Sequence, residues 1–76
     1  MENRIKKVME AVFDESDINE ESSILTVKDW DSLKHMNLII ALEDEFEVSI
    51  PDKEVGNLIS FEQIKTIIGE VLQNAD

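Results

Sequence analysis

Apolar residues return every three or four positions in three separate stretches of this chain, and nowhere do they alternate every second position long enough to make a strand. Ile5, Val8, Met9 and Val12, with Phe13 beside them, fall on one helical face and predict a helix over about residues 2–14. From Ser32 to Glu47 the pattern is stronger: Leu38, Ile39, Leu42 and Phe46 share one stripe that should face a core. Met36 and Ile40 lie four apart on a neighbouring stripe, making the apolar surface wider than a small bundle needs to bury. Pro51 pushes its predecessor away from helical geometry, so Val48-Ser49-Ile50-Pro51 should end this helix. Asp52-Lys53-Glu54-Val55 can form a single turn closed by Gly56-Asn57. Ser60 then reads as an N-cap with Gln63 three residues on, opening a helix whose apolar face is Phe61, Ile64, Ile67, Ile68, Val71 and Leu72. The expected fold class is all-α: a small four-helix bundle with three longer helices, a short third helix and a long loop between the first two.

That loop, residues 14–31, has no sustained period. Asp, Glu, Ser and Asn dominate it, and its scattered Ile18, Ile24, Leu25 and Val27 are expected to pin it onto the core. With 76 residues and no linker, repeat or low-complexity tract, residues 1–76 should form one domain. The absence of cysteine excludes disulfides, thiolate metal sites and a cysteine nucleophile, and a lone histidine, His35, excludes a multi-histidine metal site. Eighteen acids against seven bases give a net charge of −11, which repels nucleic acid and anionic lipid and favours partners with basic patches. No apolar run approaches the roughly 18 residues of a membrane span, and Met1-Glu2-Asn3-Arg4 does not open like a signal peptide. The expectation is a monomeric cytoplasmic protein that engages neither membrane nor nucleic acid.

Little catalytic chemistry is available. The segment Asp14-Glu15-Ser16-Asp17-Ile18-Asn19 invites a calcium loop, but Asn19 stands where the sixth-position glycine belongs and Leu25 where the bidentate glutamate belongs. Glu43, Asp44, Glu45 and Glu47 suggest paired carboxylates, yet read more simply as a solvated acidic face. The informative place is Asp29-Trp30-Asp31-Ser32-Leu33, where the acidic loop meets the strongest helix. A serine there holds its hydroxyl beside unpaired backbone N–H groups at the positive end of the helix dipole, which would stabilise a phosphate ester on that oxygen. The plainer reading is that Asp31 or Ser32 simply caps the helix.

Trp30-Asp31-Ser32-Leu33-Lys34-His35-Met36-Asn37-Leu38, followed by Ala41-Leu42-Glu43-Asp44-Glu45-Phe46 and Ile50-Pro51, resembles the acyl carrier protein family. The likeness is good over about residues 22–58, fair over the last helix and generic over the first. It implies a non-enzymatic carrier whose Ser32 bears 4′-phosphopantetheine, donated from coenzyme A by a Mg²⁺-dependent phosphopantetheinyl transferase, with acyl or aminoacyl groups riding on it as thioesters. It further implies that Asp31 meets the transferase, that Leu33, Met36 and Ile40 form the apolar part of a partner face, and that Glu43 and Asp44 give it charge for basic loading and downstream enzymes. For Met36 and Ile40, ordinary core packing is an equal expectation. Lys34 and Asn37 stand where fatty-acid carriers usually have acids, and Trp30, His35 and Asn37 look more like discrete carriers of secondary-metabolite, aminoacyl or surface-polysaccharide pathways. Trp30 is expected to anchor the loop, and His35 to decorate the helix surface. An unmodified acidic helical adaptor, or a nucleic-acid mimic filling a basic groove, fits the charge equally well.

Overall fold

A computed structural model describes residues 1–74, in the order α1 (Glu2–Phe13), α2 (Ser32–Phe46), α3 (Asp52–Val55) and α4 (Phe61–Asn74). The apolar stripes form the core as their spacing requires. Ile5, Val8, Met9 and Phe13 of α1 meet Leu38, Ile39, Leu42 and Phe46 of α2, and Phe61, Ile64, Ile67 and Ile68 of α4 close the other side. Val71 packs against this core, whereas Leu72 is exposed. Polar ties hold the same pairs of helices. The Arg4 guanidinium lies over the Phe46 ring at 4.4 Å, donates to the Glu45 carboxylate at 2.8 Å, and also binds the Glu45 carbonyl near the negative end of α2. Lys65 donates to Glu2 at 2.8 Å, joining α4 to α1.

Both long N-terminal helices end in left-handed acidic residues rather than at a glycine or proline. Asp14 (φ 53°) and Glu47 (φ 54°) turn the chain, and Glu15 N and Val48 N donate back to the Glu10 and Glu43 carbonyls at 3.2 and 3.1 Å. This closure satisfies a last-turn carbonyl. The end of α2 at Phe46 falls within one residue of the expected Glu47, but the left-handed Glu47 makes the stop and not Pro51. Pro51 instead leads into α3, its carbonyl accepting from Glu54 N at 2.9 Å. Ser60 caps α4 as expected, accepting from Gln63 N at 3.2 Å and donating to the Gln63 side chain at 3.1 Å.

The long loop is pinned differently from the expectation. Ile18, Val27 and Trp30 are buried, but Ile24 and Leu25 face outward. Backbone pairing orients that part of the loop: Ile24 N donates to the Ile59 carbonyl and Phe61 N to the Ser22 carbonyl, both at 2.9 Å, in a single bridge between Ser23 and Ser60. A tight turn follows, with Ser23 N donating to Thr26 Oγ1 at 2.9 Å and Leu25 N to Ser23 Oγ at 3.1 Å, and it swings Leu25 away from the bundle. Among the described residues no helix is long and apolar enough to cross a membrane.

Candidate functional site

The end of the loop and the start of α2 are built together. Asp29 takes a left-handed conformation (φ 62°), and Asp31 N donates to its carbonyl at 3.0 Å. This bend lays the Trp30 ring against Phe13, with ring centroids 4.7 Å apart, so the indole fastens the loop to α1 as its size suggested. Asp31 follows in extended geometry, and its Oδ1 accepts from Lys34 N at 2.8 Å, while the Asp31 carbonyl receives the first helical bond from His35 N, also 2.8 Å.

The two possible caps are therefore separated. Asp31 caps the helix with its side chain. Ser32 is the first residue of α2, is exposed, and its hydroxyl makes no hydrogen bond among the described residues. That oxygen sits at the positive end of a fifteen-residue helix, beside N–H groups that lack helical partners.

From Ser32 an apolar stripe runs along the outer face of α2. Leu33, Met36 and Ile40 are 71, 49 and 60% exposed, and Asp44 continues the same stripe four residues further. The core alternative for Met36 and Ile40 is thus excluded by position: the inner stripe of α2 is already filled by Leu38, Ile39, Leu42 and Phe46. Glu43 differs from Asp44. It is half-buried, and one carboxylate oxygen accepts from Ile50 N at 2.8 Å, so it clamps the turn between α2 and α3. Lys34 bends away from the stripe: its ammonium donates to the Val12 carbonyl at 3.1 Å, countering the negative end of α1.

His35 is not a surface decoration. Trp30 Nε1 donates to His35 Nδ1 at 3.0 Å, and His35 Nε2 stands 2.7 Å from the Val55 carbonyl. The indole can only donate and the carbonyl can only accept, so these contacts assign Nδ1 as the acceptor and Nε2 as the donor. One side chain thus ties the loop, α2 and α3 together, and neither ring nitrogen is left to act on Ser32. Sequence reading missed this chain because one of its links is a backbone carbonyl. It also missed the cleft of about 420 Å³ beside Ser32, walled by Ile24, Trp30, Asp31, His35, Met36 and Ile59.

Among the described residues no three acidic or histidine side chains converge as metal ligands.

No protein-family model matches the chain. The solution NMR structure of holo acyl carrier protein from Geobacter metallireducens superposes with a TM-score of 0.82 at 26% identity, covering 95% of this chain and 85% of that one. A chain of the structure described as the ishigamide ketosynthase/chain length factor superposes with a TM-score of 0.73 at 21% identity, over 92% of this chain and 90% of that one, a likeness of fold. The chain is therefore similar in fold to an acyl carrier protein over nearly its whole length.

Proposed function

We propose that this chain is a carrier protein that holds acyl or aminoacyl intermediates as thioesters on a 4′-phosphopantetheine arm at Ser32 and presents them to partner enzymes. The observation that carries the reading is the division of labour at the start of α2: Asp31 does the capping and leaves the exposed Ser32 hydroxyl uncommitted. A cap serine would have to surrender a helix-stabilising bond on modification, whereas Ser32 surrenders none. The neighbouring backbone N–H groups and the helix dipole favour a phosphodiester on that oxygen. The fold it shares with a holo acyl carrier protein points the same way.

Attachment from coenzyme A balances simply. Ser32 Oγ forms the new P–O bond, the pyrophosphate P–O bond to adenosine 3′,5′-bisphosphate breaks, and the hydroxyl proton passes to a base of the transferase. When bound, the arm supplies the thiol that this cysteine-free chain lacks. The chain's own residues supply position and recognition. The Trp30–His35–Val55 links hold the helix start in place, Asp31 lies next to the modified oxygen, and Leu33, Met36 and Ile40 offer apolar contact. Asp44 offers charge, and the Glu43 oxygen not bound to Ile50 can do the same. Such a face suits fast, weak encounters with basic partners, after which a tethered cargo is delivered at high effective concentration. With Lys34 turned onto α1 and Asn37 uncharged, the start of the face is less acidic than the whole chain, which favours a specialised biosynthetic pathway over general fatty-acid synthesis.

The test is an intact-mass spectrum after incubation with coenzyme A, Mg²⁺ and a broad-specificity phosphopantetheinyl transferase. The expected result is a gain of one phosphopantetheine, mapped to the Ser32 peptide and absent from Ser32→Ala. Because Ser32 is not the cap, the alanine variant should unfold within about 0.5 kcal/mol of the parent. A folded parent that gains no mass would overturn the reading in favour of an unmodified acidic adaptor.

A further inference from the structure

Leu25 is 92% exposed, more than any other large apolar residue of the chain, and it is held there by structure. The turn that carries it is fixed by Ser23 N donating to Thr26 Oγ1 (2.9 Å), Leu25 N to Ser23 Oγ (3.1 Å), and Val27 N to the Ser23 carbonyl (2.9 Å). Its neighbour Ile24 is tied to Ile59 through the backbone at 2.9 Å and, like Ser32 and Met36, lines the cleft of about 420 Å³. An apolar side chain presented by a bonded turn has already lost much of the freedom it would lose on binding, which lowers the cost of using it as an anchor.

We infer that the Ile24–Leu25 turn is the second half of the surface that receives the phosphopantetheinyl transferase, with Leu25 as an apolar anchor one residue beyond the Ile24 wall of the cleft. The inference rests on the carrier reading of Ser32. It selects the transferase because of what must be reached. Enzymes that handle cargo act at the far end of a long arm, whereas the transferase has to bring a phosphorus atom within bonding distance of Ser32 Oγ itself. Whatever approaches that oxygen covers the rim of the cleft, and the rim carries Ile24 and Met36 together with the Asp31 carboxylate. Glu20, Glu21 and Asp29 outnumber Lys28 among the charges that flank the turn in sequence, so the fitting partner has an apolar pocket edged by lysine or arginine.

The experiment measures steady-state modification of the full chain by a purified broad-specificity transferase with coenzyme A and Mg²⁺, comparing the parent with Leu25→Ser and Leu25→Met. An anchor residue truncated at an interface typically costs more than 1 kcal/mol, so Leu25→Ser should lower kcat/KM about tenfold, chiefly through KM. Leu25→Met should restore most of the parent value, and both variants should match the parent's unfolding midpoint, since the side chain packs against nothing. Equal kcat/KM for Leu25→Ser and the parent would overturn the inference while leaving the carrier reading intact. A fall confined to kcat would also overturn it, because docking would then not be what Leu25 does. Failure of the parent itself to be modified would overturn both.

Discussion

Replacing His35 with phenylalanine tests whether one half-buried imidazole holds the loop, α2 and α3 in register. The substitution keeps a flat ring of similar size but removes the acceptor for Trp30 Nε1 (3.0 Å) and the donor to the Val55 carbonyl (2.7 Å). Each neutral hydrogen bond contributes about 1 kcal/mol net, and a buried donor left without a partner costs about 1–3 kcal/mol. Trp30 is only 8% exposed, so its N–H has little water to turn to; the Val55 carbonyl belongs to a half-buried residue and loses less. The phenyl ring recovers some of this through added apolar burial, leaving an expected loss of about 2 kcal/mol. The chain contains a single tryptophan, so urea unfolding followed by its fluorescence reports on the affected residue directly. The expected result is a lower midpoint at unchanged slope, equivalent to a fall in melting temperature of roughly 8–16 °C for a domain of this size. Trp30→Phe removes the stranded donor and the fluorophore with it, so the cycle is followed by the far-ultraviolet circular dichroism of the helices, and the double variant should lose less than the sum of the singles, with a coupling of about 1 kcal/mol. A loss below about 0.5 kcal/mol for His35→Phe would place it among ordinary surface changes and refute the latch.

Asp31→Ala should destabilise the fold by about 1 kcal/mol by removing the α2 cap, while Asp31→Asn keeps the acceptor and should lose only a fraction of that, as measured by thermal unfolding. Glu47→Gly should stabilise by about 1 kcal/mol, because a non-glycine residue at φ 54° carries a left-handed penalty that glycine does not; a drop in the urea midpoint would refute the assignment. The net charge of −11 predicts a melting temperature that climbs with added Na⁺ or Mg²⁺, and a flat response would mean the acids are internally compensated. The Lys65 hydrogen bond holds the Glu2 carboxyl below its usual range, and Glu2 raises Lys65. The pair's contribution is therefore present above the ordinary glutamate range and fades as the pH falls through the lowered value; at the alkaline end it is lost as the pH rises through the raised lysine value. The stability gap between parent and Lys65→Met should accordingly narrow in acid, and a gap constant through the acid titration would refute the linkage.

The helices were legible because their signal is local. Each stripe, such as Leu38, Ile39, Leu42 and Phe46, can be read within its own segment and needs only a second stripe to pack against. Helix ends were less so. Asp14 and Glu47 take a left-handed conformation that a glycine would have announced and that is seldom adopted by glutamate, and Pro51 stood nearby as a more conventional stop. The loop offered no period with which to rank Ile18, Ile24, Leu25 and Val27. Which of them turn inward is settled by bonds to distant residues, Ile24 to Ile59 and Phe61 to Ser22, that leave no mark in the local pattern. His35 was misjudged for a related reason, since its second partner is the carbonyl of Val55, and a carbonyl is the same whatever residue bears it.

The candidate site was legible in its centre and not at its margins. Asp31 and Ser32 announce a helix start, but only the geometry decides which of two adjacent capping residues does the capping. The width of the apolar surface on α2 was visible as Met36 and Ile40 lying beside the core stripe, and their exposure turns that excess into a question of purpose. Left bare, Leu25, Leu33, Met36 and Ile40 on so small a protein would invite self-association. A charge of −11 opposes that, because two copies repel at the range where apolar faces would begin to meet. The same charge attracts any partner whose apolar pocket is edged with bases. The exposed stripe and the acidic surplus are thus complementary: the one supplies contact, and the other decides who may make it.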